Sequence, residues 1–317
     1  MSKILVTGCA GFIGSHLCEL LLSKGFEVIG VDNFDPFYDK KIKEKNLGTF
    51  IDHENFSFYD IDITRDLATI PTQPIDAIVH LAAKAGVRPS IEDPAGYIHT
   101  NIVGTEKILA FMKDNAITKL VFASSSSVYG NNKKIPFSET DNVDNPISPY
   151  AFTKKAGELL NYNYHHLYNF DIINLRFFTV YGPRQRPDLA IHKFIKKIAR
   201  DEKIILFGDG STARDYTYVD DTVQGIMKAL NYCMNNSNLF LTLNLGNNNP
   251  VQLNDLVNLI YQEMGKEKNI SYTDMQPGDV DITFADIENA KKILGYAPSI
   301  DISTGISKFV NWMKAST

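Results

Sequence analysis

Gly8-Cys9-Ala10-Gly11-Phe12-Ile13-Gly14 decides the fold of this chain. It joins the apolar run at residues 3–7 (KILVT) to a helical pattern with Ile13, Leu17, Leu20 and Leu21 on one stripe. The G-x-x-G-x-x-G spacing lets the backbone approach a pyrophosphate closely. The helix start behind it offers free N–H donors and the positive end of the helix dipole. A second strand, 27–32 (EVIGVD), ends in Asp32, where a carboxylate accepts from the ribose hydroxyls of a dinucleotide. Asn33 and Phe34 follow, and neither Arg nor Lys sits beside the acid to meet a 2′-phosphate, which favours NAD over NADP. Cys9 is read as a small residue filling a tight turn.

Outward from the loop, strand patterns at 56–59, 77–81 (AIVHL), 120–123 (LVFA) and 172–175 alternate with helical patterns at 97–113 and 150–167. Such alternation predicts an α/β fold: a doubly wound parallel sheet of Rossmann type. After Phe178 the elements shorten and the loops fill with Asn, Gly and Asp. Helical patterns follow at 190–200, 222–231, 253–264, 286–294 and 304–314. These predict a smaller, interleaved C-terminal α/β lobe over 179–317, with residues 1–178 as the dinucleotide domain. The stretch 219–246 is expected to return to the main sheet through a strand at 242–245.

Composition narrows the function. Of 317 residues, 44% are hydrophobic and 22% charged, and 32 Lys+Arg against 37 Asp+Glu give a net charge of -5. With no basic block, nucleic acid is not an expected partner. No apolar stretch reaches the length of a membrane span, and the N-terminus has no signal-peptide pattern. Cys9, Cys18 and Cys233 are too few and scattered for a disulfide framework, so a reducing, cytoplasmic setting is expected. The seven histidines (16, 53, 80, 99, 165, 166 and 192) form no ligand-spaced cluster, so no metal is expected.

Tyr150 and Lys154 stand one helical turn apart, just inside a helix opened by Pro149. An ordinary tyrosine is a poor base at neutral pH, but a nearby ammonium and a nicotinamide cation would favour its phenolate. The same spacing recurs at Tyr129 and Lys133, but Gly130-Asn131-Asn132 between them is turn chemistry. Ser124-Ser125-Ser126-Ser127 follows a strand, at the carboxyl end of the sheet where open α/β folds bind ligands.

Together these residues resemble the extended short-chain dehydrogenase/reductases, and within them the NAD-dependent nucleotide-sugar epimerases. The resemblance spans nearly the whole chain. It includes Asp62-Ile63, His80-Leu-Ala-Ala83, Asn101, Ser124–Gly130, Arg176-Phe-Phe-Thr-Val-Tyr-Gly-Pro183, and Phe207-Gly-Asp-Gly with Arg214-Asp-Tyr-Thr-Tyr-Val-Asp220. It implies that Gly8, Gly11, Phe12, Ile13, Gly14, Asp32, Asn33, Asp62, Ile63, Leu81, Ala82, Ala83, Lys84 and Asn101 hold NAD. Ser125 would be the catalytic hydroxyl, Tyr150 the general base, and Lys154 its electrostatic partner and a nicotinamide-ribose ligand. Arg214 would hold the nucleotide phosphates, Phe207 would sit beside the uracil, and Asp279 would hold a ribose. Gln276 departs from the pattern, standing where many relatives place a second phosphate arginine. Relatives commonly form homodimers through the two helices read at 97–113 and 150–167.

The resemblance also bears on the reaction. Relatives pass a hydride from C4 of the sugar to NAD⁺, giving a 4-keto sugar. Dehydratases of this family carry Asp-Glu after the catalytic hydroxyl, and decarboxylases a Glu two positions after it. Here those positions are Ser126 and Ser127, which points to 4-epimerisation of a UDP-sugar. Gly86-Val87-Arg88-Pro89-Ser90, Phe177-Phe178-Thr179 and Arg184-Gln185-Arg186-Pro187-Asp188 are similar to stretches of UDP-glucuronate 4-epimerases; galactose-type enzymes have Asn where Thr179 stands. A C5 carboxylate calls for a bidentate guanidinium, with Arg186 the first choice and Arg88 or Arg184 behind it. The alternatives are a UDP-glucose/UDP-galactose or UDP-N-acetylhexosamine 4-epimerase, a UDP-glucuronate decarboxylase, and a non-catalytic NAD-binding protein.

Overall fold

The computed structural model describes residues 1–65, 67–71, 74–274 and 280–316. Strand β1 (Lys3–Thr7) is an uninterrupted apolar run ending in Thr7, and its last four residues are buried. Side chains alternate across it: Leu5 joins one core cluster, while Ile4 and Val6 join the other. The chain continues through α1 (Phe12–Ser23), β2 (Glu27–Asp32), α2 (Lys40–Leu47), β3 (Phe56–Asp60) and β4 (Ala77–His80). Next come α3 (Val87–Glu92), α4 (Pro94–Ile98), a π-helical turn (His99–Val103), α5 (Gly104–Asp114) and β5 (Lys119–Ser125). A 3₁₀ turn (Ser126–Tyr129) leads to α6 (Pro149–Tyr168) and β6 (Asp171–Phe177).

The main sheet has seven strands in the order β3-β2-β1-β4-β5-β6 plus β10 (Phe240–Leu245), which pairs in parallel with β6 at the edge. Thr7 of β1 lies opposite Val31 of β2 and His80 of β4. The strand order reverses between β1 and β4, and the carboxyl ends of strands around such a switch point form a ligand crevice.

The rest of the chain forms β7 (Thr179–Tyr181), α7 (Ala190–Ala199), β8 (Ile204–Phe207), β9 (Ala213–Tyr218), α8 (Val219–Asn235), β11 (Pro250–Gln252), α9 (Leu253–Met264), β12 (Ile270–Thr273), α10 (Glu288–Leu294) and α11 (Ile302–Ser316). Strands β7, β9 and β11 make one small sheet, and β8 and β12 another. These small strands lie outside the expected strand patterns, and so does α2. The helix expected over 97–113 is a composite. It begins at Pro94, capped by Asp93, whose carboxylate accepts from Gly96 N, and it widens to a π turn before α5.

Candidate active site

The glycine loop forms the cradle that its spacing predicts. Gly8 has φ of 73°, and a Cβ there would lie 2.9 Å from Ala82 N. A Cβ on Gly14 would come within 2.0 Å of Gly8 O, so α1 reaches the loop only because that atom is missing. The N-cap residue of α1 is Gly11, with no side-chain cap and no acid in the first turn. This end of the helix is therefore suited to an anion.

Asp32 accepts from Phe34 N (2.9 Å) and Ala10 N (3.2 Å), tying the strand end to the loop. Burial pushes its carboxyl up, against the pull of Lys43 and these N–H groups. The expectation that no lysine stands near Asp32 is corrected here. Lys43 arrives from α2 with Nζ 3.6 Å from Asp32 Oδ1, and it also donates to Asp35 O. Lys43 stands eleven positions beyond Asp32, across a turn, so no local signal could show it. The Lys43 charge is directed at Asp32. At Asp62, burial raises the carboxyl, but bonds from Thr64 and Asn33 outweigh it and hold the group below its usual range.

Behind the loop runs a chain of hydrogen bonds whose direction is fixed. Ala82 N donates to Thr7 Oγ1 (3.1 Å), which lies 2.7 Å from His80 Nδ1; His80 Nε2 lies 3.1 Å from Thr105 Oγ1, which donates to Asn101 O (2.6 Å). Because Thr105 spends its proton on Asn101 O, His80 must donate from Nε2 and accept at Nδ1. Asn101 itself is buried, with its amide bonded to Lys84 N, Lys84 O and Thr153 Oγ1. It braces the 84–90 segment from behind and does not line the cleft, where the sequence reading expected it beside the cofactor. The π turn aims it, a common use of such turns at functional sites.

Helix α6 carries the Tyr and Lys. Ser148 caps it by accepting from Ala151 N, Pro149 needs no partner, and Tyr150 N donates to Ser90 Oγ (3.1 Å). Burial pushes the Tyr150 phenol up, while its hydrogen bond with Ser125 and the charge of Arg186 pull the other way. Lys154 is buried with Nζ donating to Ala123 O (2.7 Å), and burial pulls it down to about 7. The ammonium is thus anchored to the serine strand itself. The next residue on that strand, Ser124, donates to Glu158, which pairs through two contacts with Arg176. Tyr129, the decoy, belongs to this buried network, donating to Asn244 and accepting from Arg176.

A cleft of about 350 Å³ gathers these groups. Gly8, Gly11, Phe12, Ile13, Gly14, Asp32, Asn33, Asp62, Ile63, Leu81, Ala82, Ala83 and Lys84 line it, with Gly86, Ser125, Tyr150, Lys154, Thr179 and Arg186. Phe37, Tyr38 and Lys43 also line it, without having been read from the sequence. Val87, Arg88, Ser126, Phe207 and Arg214 do not line it. The Arg88 guanidinium lies 4.6 Å from the centre of the Phe207 ring, joining α3 to β8. Arg214 donates to Ala213 O and Asp281 O. Gln276 and Asp279 lie outside the described residues. Of the three candidate carboxylate ligands, Arg184 is held by both Glu19 oxygens on α1 (2.8 and 3.0 Å). Arg186 faces the cleft.

Known proteins are similar to this chain along nearly its whole length. One relative, UDP-glucuronate 4-epimerase of Thermodesulfobacterium geofontis (strain OPF15), is 46% identical over 99% of this chain and 97% of its own. Protein CapI of Staphylococcus aureus is 43% identical, over 98% of each chain. The UDP-glucuronic acid 4-epimerase of Bacillus cereus, solved with UDP-glucuronic acid and NAD, superposes with a TM-score of 0.94 at 36% identity. That match covers 99% of this chain and 100% of the other. The family model described as GDP-mannose 4,6 dehydratase matches residues 5–309, and the chain belongs to that family.

Proposed function

We propose that this protein is an NAD-dependent UDP-glucuronate 4-epimerase, with Tyr150 as the base and Ser125 and Lys154 as its partners. The observation that carries the reading is that Ser125, Tyr150 and Arg186 meet in the cleft that also holds the glycine loop. The relatives named for this activity support it. NAD fits the residues present: a cradle that Cβ atoms would fill, an uncapped helix start and Asp32 beyond it. Bound there, it would accept a hydride from C4 and return it, its cationic ring favouring the phenolate.

The chain's own groups move the proton and hold the sugar. Tyr150 takes the 4-hydroxyl proton, and Ser125, hydrogen-bonded to the phenol, keeps the two oxygens aligned. Lys154, fixed to Ala123 O, adds positive charge behind them. Arg186 meets the C5 carboxylate. A keto group at C4 would make the sugar a β-keto acid, and a carboxylate held out of alignment resists loss of CO₂. Arg214 and Phe207 hold the phosphate and uracil end.

A proton NMR time course with UDP-glucuronate and no added NAD, beside a UDP-glucose control, tests the reading. UDP-galacturonate is expected in the first tube, and Tyr150→Phe should slow it by about a thousandfold. UDP-xylose, or turnover of UDP-glucose alone, would overturn it.

We also infer a cytoplasmic homodimer. The three buried cysteines are free thiols, in keeping with a reducing compartment. Phe152, Leu159 and Tyr162 leave an apolar, exposed stripe on α6, beside α3 and α4 with exposed Ile91 and Ile98.

A further inference from the structure

Asp188 is not a residue that the sequence reading assigns a role, yet it occupies the donor fork of the cleft's arginine. Arg186 Nε donates to Asp188 Oδ1 at 3.0 Å and Nη2 to Asp188 Oδ2 at 2.7 Å. The second Nη2 hydrogen goes to Ala85 O at 2.9 Å, and the guanidinium lies over the Phe37 ring, 5.0 Å from its centre. A guanidinium has five N–H groups. Three are spent, and Nη1 has no acceptor among the described residues. The side chain is only 15% exposed, so the plane of the fork is fixed on three sides.

We infer that Asp188 is a positioning residue that keeps Arg186 half-neutralised, so that the arginine grips an acidic sugar through Nη1 alone and can let it go. The argument rests on the proposed UDP-glucuronate reading. A bidentate pair with an unopposed arginine is among the stronger polar contacts a protein makes. A sugar whose ring must turn between losing and regaining a hydride has to break that contact and make it again. With Asp188 in the fork, the incoming carboxylate meets an arginine whose charge is already partly offset, and it meets like charge behind it. Binding is weakened in the ground state, which favours turnover.

The test uses the NAD-loaded protein, with Asp188→Asn and Asp188→Ser as variants. Affinity for UDP-glucuronate and UDP-glucose is read by titration in a Tyr150→Phe background, and kcat and KM are read with Tyr150 present. Expected is about tenfold tighter binding of UDP-glucuronate in either variant, with UDP-glucose binding unchanged, from removal of one like charge close by. KM for UDP-glucuronate falls, and kcat falls with it. A simple loss of structure would instead weaken both ligands. Unchanged or weaker uronate binding, or tighter binding with kcat intact, overturns the assignment. If neither variant folds, the unmodified fork decides the matter: a preference for uronate over glucose above about a thousandfold is more than a neutralised arginine can give, and overturns it. No preference for the uronate in the protein with Asp188 intact would overturn the substrate reading itself, and this argument with it. Preference with no tightening on substitution removes Asp188 alone.

Discussion

His80 shows how much a single buried ring can decide. It is held neutral between Thr7 and Thr105, and burial pulls its pKa from 6.5 down to about 3. Protonating Nδ1 would set a donor against the Thr7 hydroxyl proton and leave a charge with no counter-ion. The folded pKa lies below the unfolded one, so the unfolded chain binds the extra proton first. Stability conferred by the neutral ring is complete above about pH 6.5 and drains away as pH falls towards 3, by up to about 1.4 kcal/mol per pH unit. Urea unfolding between pH 7 and pH 4 should therefore show a steeper acid loss in the native protein than in His80→Gln, which cannot take the proton. Equal slopes would mean that the ring is protonated in place. The sequence marks His80 by its motif but not by this role. Motif residues that act through the backbone, such as Gly8 and Gly14, where a Cβ would collide with neighbouring main chain, are legible because their chemistry is local. Lys43 is not, because the charge it acts on is brought to it by the fold, and Asp188, though only two positions from Arg186, shows its role only in the geometry of the fork.

Among the elements, legibility follows composition. Strands β1 and β2 and helix α9 match their expected spans because each carries a complete apolar pattern of its own. Helix α2, KKIKEKNL, buries only Lys43, Asn46 and Leu47, so no apolar period announces it; the Asp39 cap, accepting from Lys41 N, starts it. Strands β8 and β12 exist by pairing, Ile204 opposite Ile270, across a sequence gap that no window spans. The junction of α6 with β5 and β6 depends on a pair hidden from pattern reading. Glu158 and Arg176 are both buried, bonded at 2.9 Å through each carboxylate oxygen, with Ser124 donating to the same acid at 2.6 Å. Glu158→Gln would leave the arginine charge uncompensated in the interior and should cost about 3 kcal/mol in urea unfolding. Glu158→Leu combined with Arg176→Met should recover much of that stability, since an apolar pair asks for no charge compensation. The double variant should still lose turnover, because Ser124 and Tyr129 lose the partners that hold the serine strand against α6. Full turnover in the double variant would show that the strand is held by its ladder alone.

The molecule is organised on its seven-stranded parallel sheet, with the ligand crevice at the reversal between β1 and β4 and strand β10 added at the edge from beyond the substrate loops. That return makes the two halves of the cleft share a sheet, so cofactor loop and sugar-binding segments hold a common frame. One face of this frame is left unfinished. Helix α6 is 20 residues long and packs inward through Thr153, Gly157, Glu158 and Asn161, yet Phe152, Leu159 and Tyr162 stand 45%, 54% and 51% exposed on its outer side. Large apolar side chains at spacings of seven and three lie along one stripe of a helix, which is the pattern a second helix covers. Two copies related by a two-fold axis would bring α6 against its own counterpart, each stripe burying the other. Leu159→Lys with Phe152→Lys would place four charges in that seam, and sedimentation at micromolar concentration should then show monomers where the native chain is expected to sediment as a dimer. Because α6 also carries Tyr150 and Lys154 at its start, separation should lower activity through a loosened helix without altering which sugar is accepted. A native chain that sediments as a monomer at tens of micromolar would leave the stripe without its proposed cover, and the pairing would have to be abandoned.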